Sequence, residues 1–298
     1  MRERSIKTVA FGAAAPLAWM ATSLRRAGAT RIVALTHGHE VWWSKVFPFN
    51  LIIRRIGSST DSLTYLGEFT RAAISKAVGA RASSRMQKIA PGIDVEHFAP
   101  VDAEALRKSL GLEDKKIIVS VGRLVHRKGQ DYLIHAMPEI LKREPLAHLV
   151  LVGQGPYLEH LAKLVAQYKL EENISFIGRI QYAELPLYIC LGQVFVMPSR
   201  SRFWGLEVEG LGIVYLEASA CGLPVIAGNS GGAPDAVLED VTGFVVDGTN
   251  CEEIANRTVE LLSNRELCKK MGMAGREWIV MEWRWQIWAK KFQDLLVS

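Results

Sequence analysis

The chain has 298 residues, 49% of them hydrophobic and 22% charged, with a formal net charge of +5. That length suits two domains with real cores, and the balance excludes disorder and collagen-like or coiled-coil repeats. The sequence contains no run of 18 apolar residues that would span a membrane as a helix. The charge is uneven. Residues 1–100 carry 14 Lys+Arg against 6 Asp+Glu, whereas residues 101–298 carry 22 against 25. Such a basic first part suits an anionic partner: phosphates, nucleic acid or an anionic lipid surface. A scattered solvated face is the equal alternative.

In chain order, Met1–Lys7 is basic and Thr8–Ser23 is largely apolar, the outline of a signal peptide. The same stretch also reads as a strand (Thr8–Phe11), a Gly/Pro turn and a helix (Pro16–Ala27). The following residues continue that second pattern. Candidate strands are Arg31–Leu35, Leu63–Tyr65 and Met86–Ile89, with helices at Val46–Gly57 and Thr70–Val78. Pro91-Gly92 and Pro100 then mark a linker. Four strands are fewer than the six or so of a doubly wound domain. Two further βαβ units of about 30 residues each would complete it, so the first domain reads as incomplete at its N-terminus.

The second part alternates more regularly. Apolar runs at Ile117–Val121, His148–Val152, Ile174–Phe176, Val194–Met197, Pro224–Ala227 and Gly243–Val246 predict six strands. Helical patterns at Gln130–Arg143, Pro156–Tyr168, Tyr182–Leu191 and Ile213–Ala220 separate most of them. This alternation predicts an α/β, doubly wound parallel sheet. At the C-terminus, Arg276–Leu296 reads as one helix. Trp278, Trp285, Trp288, Phe292 and Leu295 fall on one face, suited to packing across a domain or to lying on a membrane surface. The expected division is 1–98, 99–275 and a final helix, 276–298, that packs back towards the first domain.

Open α/β sheets bind ligands beyond the carboxyl ends of their strands. Four such ends carry candidate chemistry. Arg123 and Lys128 follow the strand Ile117–Val121, and an Arg fork with a Lys point charge suits a diphosphate. A plain basic loop is the competing reading. Glu209, Gly210 and Gly212 follow Val194–Met197, just before the helix of Ile213 and Val214, whose N-terminal amides suit an anion. Glu217 lies about two turns into that apolar helix. A carboxylate there needs a partner, which ribose hydroxyls would supply, unless it faces water. Gly231-Gly232-Ala233-Pro234 reads as another phosphate-side loop. In the first part, His37-Gly38-His39-Glu40 ends a strand, without further ligands at metal-site spacing. Cys190, Cys221, Cys251 and Cys268 have no Cys-x-x-Cys spacing and read as reduced thiols. No Gly-x-Gly-x-x-Gly follows a first strand, which argues against a dinucleotide-dependent dehydrogenase.

Taken together, Gly122-Arg123, Arg127-Lys128-Gly129, the glutamates Glu209 and Glu217 and Gly231–Pro234 resemble the retaining nucleotide-sugar glycosyltransferases of family 4. Their fold is GT-B, two facing Rossmann-like domains. Residues 11–18, 36–41 and 207–218 are similar, within that family, to the actinobacterial phosphatidylinositol mannosyltransferases, in particular the type that adds an α-1,6-linked second mannose. The resemblance implies GDP-mannose as donor and a phosphoinositide lipid, phosphatidylinositol monomannoside, as acceptor. It implies no metal, no nucleic acid, and a cytoplasmic location, peripheral on the anionic inner face of the cell membrane. It also implies roles. Arg123 and Lys128 hold the diphosphate, Glu209 the mannose hydroxyls with amides of Gly210–Val214, and Glu217 the ribose. His37 meets the donor sugar from the other domain. Trp42 and Trp43 either assist membrane insertion or pack in the core. The family's Gly-rich loop after a first strand has no counterpart before Phe11, which makes a truncated, inactive nucleotide-binding remnant one alternative. A relative with another donor or acceptor is the other.

Overall fold

The computed structural model describes residues 6–297, so residues 1–5 of the basic stretch Met1–Lys7 lie outside it. Two parallel sheets form the framework. The first has the order β1 (Thr8–Phe11), β2 (Arg31–Ala34), β3 (Ser62–Tyr65), β4 (Gln87–Lys88). Its helices are α1 (Ala21–Arg26), α2 (Glu40–Lys45), α3 (Phe49–Ser59), α4 (Glu68–Val78) and α5 (Ala80–Ser83). Ile32, Ile56, Leu63 and Ile74 are all but inaccessible in its core.

Two helices differ from the sequence expectation. The span Pro16–Ala27 begins as a 3-10 turn over Leu17–Met20 before α1. The helix expected at Val46–Gly57 begins only at Phe49, as α3, because Val46 is extended and Pro48 lacks the N–H that a helix interior needs; the helix before it, α2, was not expected. The residues before that break, with Glu40 leading, form α2.

The second sheet follows α6 (Glu104–Ser109). It comprises β5 (Lys116–Val121), β6 (Ala147–Val152), β7 (Ile174–Gly178), β8 (Val194–Met197), β9 (Val225–Gly228) and β10 (Gly243–Val246), in the order β10-β9-β8-β5-β6-β7. Around it lie α7 (Gln130–Arg143), α8 (Leu158–Tyr168), α9 (Leu185–Ile189), α10 (Ile213–Ala220), α11 (Cys251–Ser263) and α12 (Arg265–Trp278). Every residue of β6, β8 and β9 is buried, as strands covered on both faces require. The chain winds outward from β5 in one direction and from β8 in the other. The crevice between β5 and β8 is therefore the topological switch point, where ligands bind in such sheets.

The expected C-terminal helix is interrupted. A π turn spans Ile279–Trp283, Arg284 is extended, and α13 (Trp285–Val297) starts afresh. Trp278 belongs to α12, so the aromatic stripe is not one helix face. Arg284 is extended because it pairs with the linker: the Ile93 amide donates to the Trp283 carbonyl at 2.7 Å, and the Trp285 amide to the Ile93 carbonyl at 3.0 Å. The chain thus crosses between the sheets twice at one place. Beyond that crossing α13 packs against β1 and β2. The Arg31 guanidinium donates to the Leu295 carbonyl at 2.6 and 3.1 Å. Trp288 and Leu295 are buried, while Trp285 is 58% exposed.

Candidate functional site

A cavity of about 1300 Å³ lies between the two sheets. One wall comes from the loops after β5 and β8 and the start of α10; the facing wall comes from the loop after β2, from α2 and from α13.

On the first wall the chain leaves β5, buries Leu124 and makes a 3-10 turn over His126–Lys128. That turn aims Arg127 and Lys128 at the carboxylate of Glu209, each nitrogen 2.7 Å from Oε2. Lys128 and Glu209 are both buried. Burial lowers the Lys128 ammonium below the usual lysine range, with Glu209 pulling the other way.

A second ion pair braces this turn. The Arg200 guanidinium, from the loop after β8, donates to both oxygens of Asp131 at 2.6 and 2.7 Å. The Tyr157 hydroxyl adds a hydrogen bond to Asp131 at 2.9 Å, and the Arg200 amide donates to the Arg127 carbonyl. Arg200 holds the Asp131 carboxyl below the usual carboxylate range despite its burial. Asp131 sits in the first turn of α7, a position legible as a helix start but not as a partner for Arg200.

Glu209 is also held from behind. The Gly232 amide donates to its carbonyl at 2.8 Å, and its own amide donates to Ser230 Oγ at 3.3 Å. The loop 228–235, expected on the phosphate side, does not line the cavity; it supports the Glu209 segment that does. Its Asp235 reaches the other domain, accepting from the Phe69 amide at 3.3 Å at the start of α4.

Gly210, Gly212, Ile213, Val214 and Glu217 all line the cavity. Gly212 takes φ +79° as the residue that starts α10, and a Cβ there would lie 2.4 Å from the buried Tyr215 ring. Glu217 has no ion pair among the described residues, and burial pushes its carboxyl up to about 7.

Arg123 departs from the sequence expectation. It is exposed and does not line the cavity. Burial of Leu124 beside it commits the chain direction, so Arg123 points outward and Arg127 takes the position next to Glu209. The Arg127-Lys128 pair was visible as part of a basic loop, but local spacing could not say which arginine turns inward.

The opposite wall presents His37. Its exposed ring bonds to the Gly12 carbonyl through Nε2. Its amide donates at 2.9 Å to Oε2 of Glu40, which is completely buried, while Oε1 lies 3.3 Å from His39 Nε2. Glu40 therefore holds this loop from beneath. Gly38, at φ +98°, meets the other domain: a Cβ on it would stand 3.0 Å from Gly210 Cα. The glycines that adjoin His37 and Glu209 in sequence thus lie against each other where the two walls meet. Trp42 and Trp43 pack against Phe49, the first tilted and the second edge-on, centroids 4.7 and 5.0 Å away, and also line the cavity.

Residues 102–278 match the family described as glycosyl transferases group 1. The chain is 47% identical over 296 residues, 99% of its length and 76% of the relative's, to the GDP-mannose-dependent alpha-(1-6)-phosphatidylinositol monomannoside mannosyltransferase of Mycobacterium tuberculosis. It is 42% identical over 302 residues, 100% of its length and 78% of the relative's, to the GDP-mannose-dependent monoacylated alpha-(1-6)-phosphatidylinositol monomannoside mannosyltransferase of Corynebacterium glutamicum. Among solved structures, HepE of Anabaena in complex with UDP superposes with a TM-score of 0.86 at 20% identity. That match covers 98% of this chain and 79% of HepE, a likeness of fold. Two facing parallel α/β sheets with a cleft between them are the GT-B architecture, and the chain belongs to the glycosyl transferases group 1 family.

Proposed function

We propose that the chain transfers mannose from GDP-mannose to phosphatidylinositol monomannoside, making an α-1,6 linkage with retention. The observation that carries this reading is the 47% identity over 99% of the chain to a relative of that name. The cavity geometry is consistent with it. A nucleoside diphosphate lies along the switch point with Glu217 accepting from the ribose hydroxyls. Lys128, with Arg127 beside it, holds the diphosphate, and Arg123 reaches it only by turning inward from its exposed position. Glu209 accepts from the mannose hydroxyls, exchanging part of its ion pairing for them.

The bond from the sugar C1 to the β-phosphate oxygen breaks, and negative charge grows on the departing oxygen. Fixed cations placed where charge develops supply the largest stabilisation. The acceptor hydroxyl attacks C1 from the same face, and its proton passes to the departing oxygen. No separate general base and no metal enter this scheme. His37 meets the sugar from the facing wall.

The acceptor is a lipid, so the reading places the enzyme peripherally on the anionic inner face of the membrane. Lys and Arg near such a surface contribute roughly 1 kcal/mol each. No helix of the described residues is long and apolar enough to cross a membrane.

Incubation with labelled GDP-mannose and the lipid acceptor tests the reading; absence of mannosyl lipid refutes it. A thermal-shift panel of GDP- and UDP-sugars tests the donor, because a ligand that binds the native state raises its stability. A shift with a UDP-sugar and none with GDP-mannose overturns the donor assignment.

A further inference from the structure

The cavity is chemically two-sided. Its charged lining residues, Arg127, Lys128, Glu207, Glu209 and Glu217, all come from the second domain. The first domain and α13 contribute no Lys, Arg, Asp or Glu to it. Their share is mostly apolar, Trp42, Trp43, Leu66, Trp285, Phe292 and Leu296 among it, with Gln293 on α13 and the two loop histidines as polar groups. Thr36, a polar group on this side, is already satisfied: its hydroxyl donates to the Thr64 carbonyl at 2.8 Å and its amide to Thr64 Oγ1 at 3.2 Å. At about 1300 Å³ the space also exceeds the roughly 300–1,000 Å³ usual for a small-molecule site.

A sugar or inositol ring turned into the apolar lobe would lose hydrogen bonds to water and find few replacements. A hydrocarbon chain has none to lose, and its burial is favourable in proportion to area. The lobe belongs to the same cavity that Gly38 and Gly210 line where the walls meet. One molecule can therefore place a polar end at the transfer point and a hydrocarbon tail among the tryptophans.

We infer that this lobe, roofed by α13, is a binding site for one acyl chain of the lipid acceptor. The inference rests on the proposed lipid acceptor and adds to it. The enzyme draws an acyl chain into the protein, rather than reading the head group alone at the bilayer surface. The role of α13 follows: it crosses from the second domain onto β1 and β2 to close the lobe.

Two substitutions on α13 test this. Ala289→Phe adds bulk at a lining position that is itself exposed, and Leu296→Gln introduces a polar amide near the helix end. The kinetic readout compares an acylated acceptor with its deacylated glycerophospho head group. Each variant raises KM for the acylated acceptor about tenfold more than KM for the deacylated one. Equal changes for the two acceptors overturn the site.

The second readout needs no activity. A water-soluble, short-chain phosphatidylinositol brominated at its acyl terminus quenches tryptophan fluorescence in the parent chain, and the quenching weakens in Ala289→Phe. Absence of quenching overturns the site. Quenching without any transfer from GDP-mannose leaves the acyl site standing and removes the proposed reaction. Transfer without chain dependence or quenching does the reverse.

Discussion

The Lys128 ammonium lies 2.7 Å from Oε2 of Glu209, and both side chains are buried. A buried pair of this kind is costly to break from one side only, because the partner is left as an unpaired charge. Arg127, also 2.7 Å from the same oxygen, provides a second cation that remains if Lys128 is lost. Lys128→Ala is therefore expected to fold, while kcat falls about 10²–10³-fold through loss of charge stabilisation on the departing phosphate. Steady-state kinetics alongside a melting curve checks this. An unchanged kcat excludes the role.

With Glu217 on the ribose, nucleotide binding is expected to depend on pH. Burial raises the Glu217 carboxyl from the ordinary 4.5 to about 7. Between those values the native state holds a proton that the unfolded chain has released. Stability of the ligand-free protein therefore falls as pH rises through that window and levels off above about 7. The ionised form is the better acceptor for two hydroxyls, so GDP affinity is expected to rise with pH through about 7. Glu217→Gln should flatten both profiles and weaken GDP binding. Calorimetric titration at several pH values gives the result, and a slope that survives the substitution contradicts the assignment.

Glu40 never touches the cavity, yet it carries the loop that presents His37. Replacing it with Ala leaves the His37 amide without its acceptor, at a cost of about 1–3 kcal/mol. Glu40→Gln keeps an oxygen for that amide. The expected pattern is a fall in kcat for Glu40→Ala, partial rescue by Glu40→Gln, and GDP affinity that stays near the parent value in both. A loss of GDP affinity equal to the loss of kcat would mean that the whole cleft, rather than one loop, had moved.

Gly38 sets how closely the walls approach. Its φ of +98° and its contact with Gly210 both disfavour a side chain. The strained conformation alone costs about 1–3 kcal/mol. Gly38→Ala should lower kcat more than it raises KM for the donor, since the residues proposed to hold the donor are chiefly on the opposite wall. Small-angle scattering should report a wider molecule. Parent-like kinetics and dimensions would show that the gap tolerates a methyl group.

How much of this was legible beforehand follows from the range of the interactions. The six strands of the second sheet, the helices that follow the first four of them, and the helix start at Ile213 are written in short-range periodicity and glycine placement; α11 and α12 were not legible there. So is the position of Lys128, Glu209 and Glu217 beyond strand ends. Local pattern was less reliable where a single residue breaks it, as at Pro48 and at Arg284.

What tertiary structure alone decided lies in contacts between distant segments. Burial of Leu124 turned Arg127 rather than Arg123 towards Glu209. Asp131 found Arg200 across 69 positions of sequence, and Asp235 reached the start of α4 in the other domain. Pairing of Ile93 with the Arg284 turn carried α13 over the first sheet and made one cavity from two half-walls. Periodicity reports which face of an element is apolar, whereas the partner of that face is settled by packing over the whole chain. The residue types of the donor wall were therefore readable from sequence, and the apolar wall facing them was not.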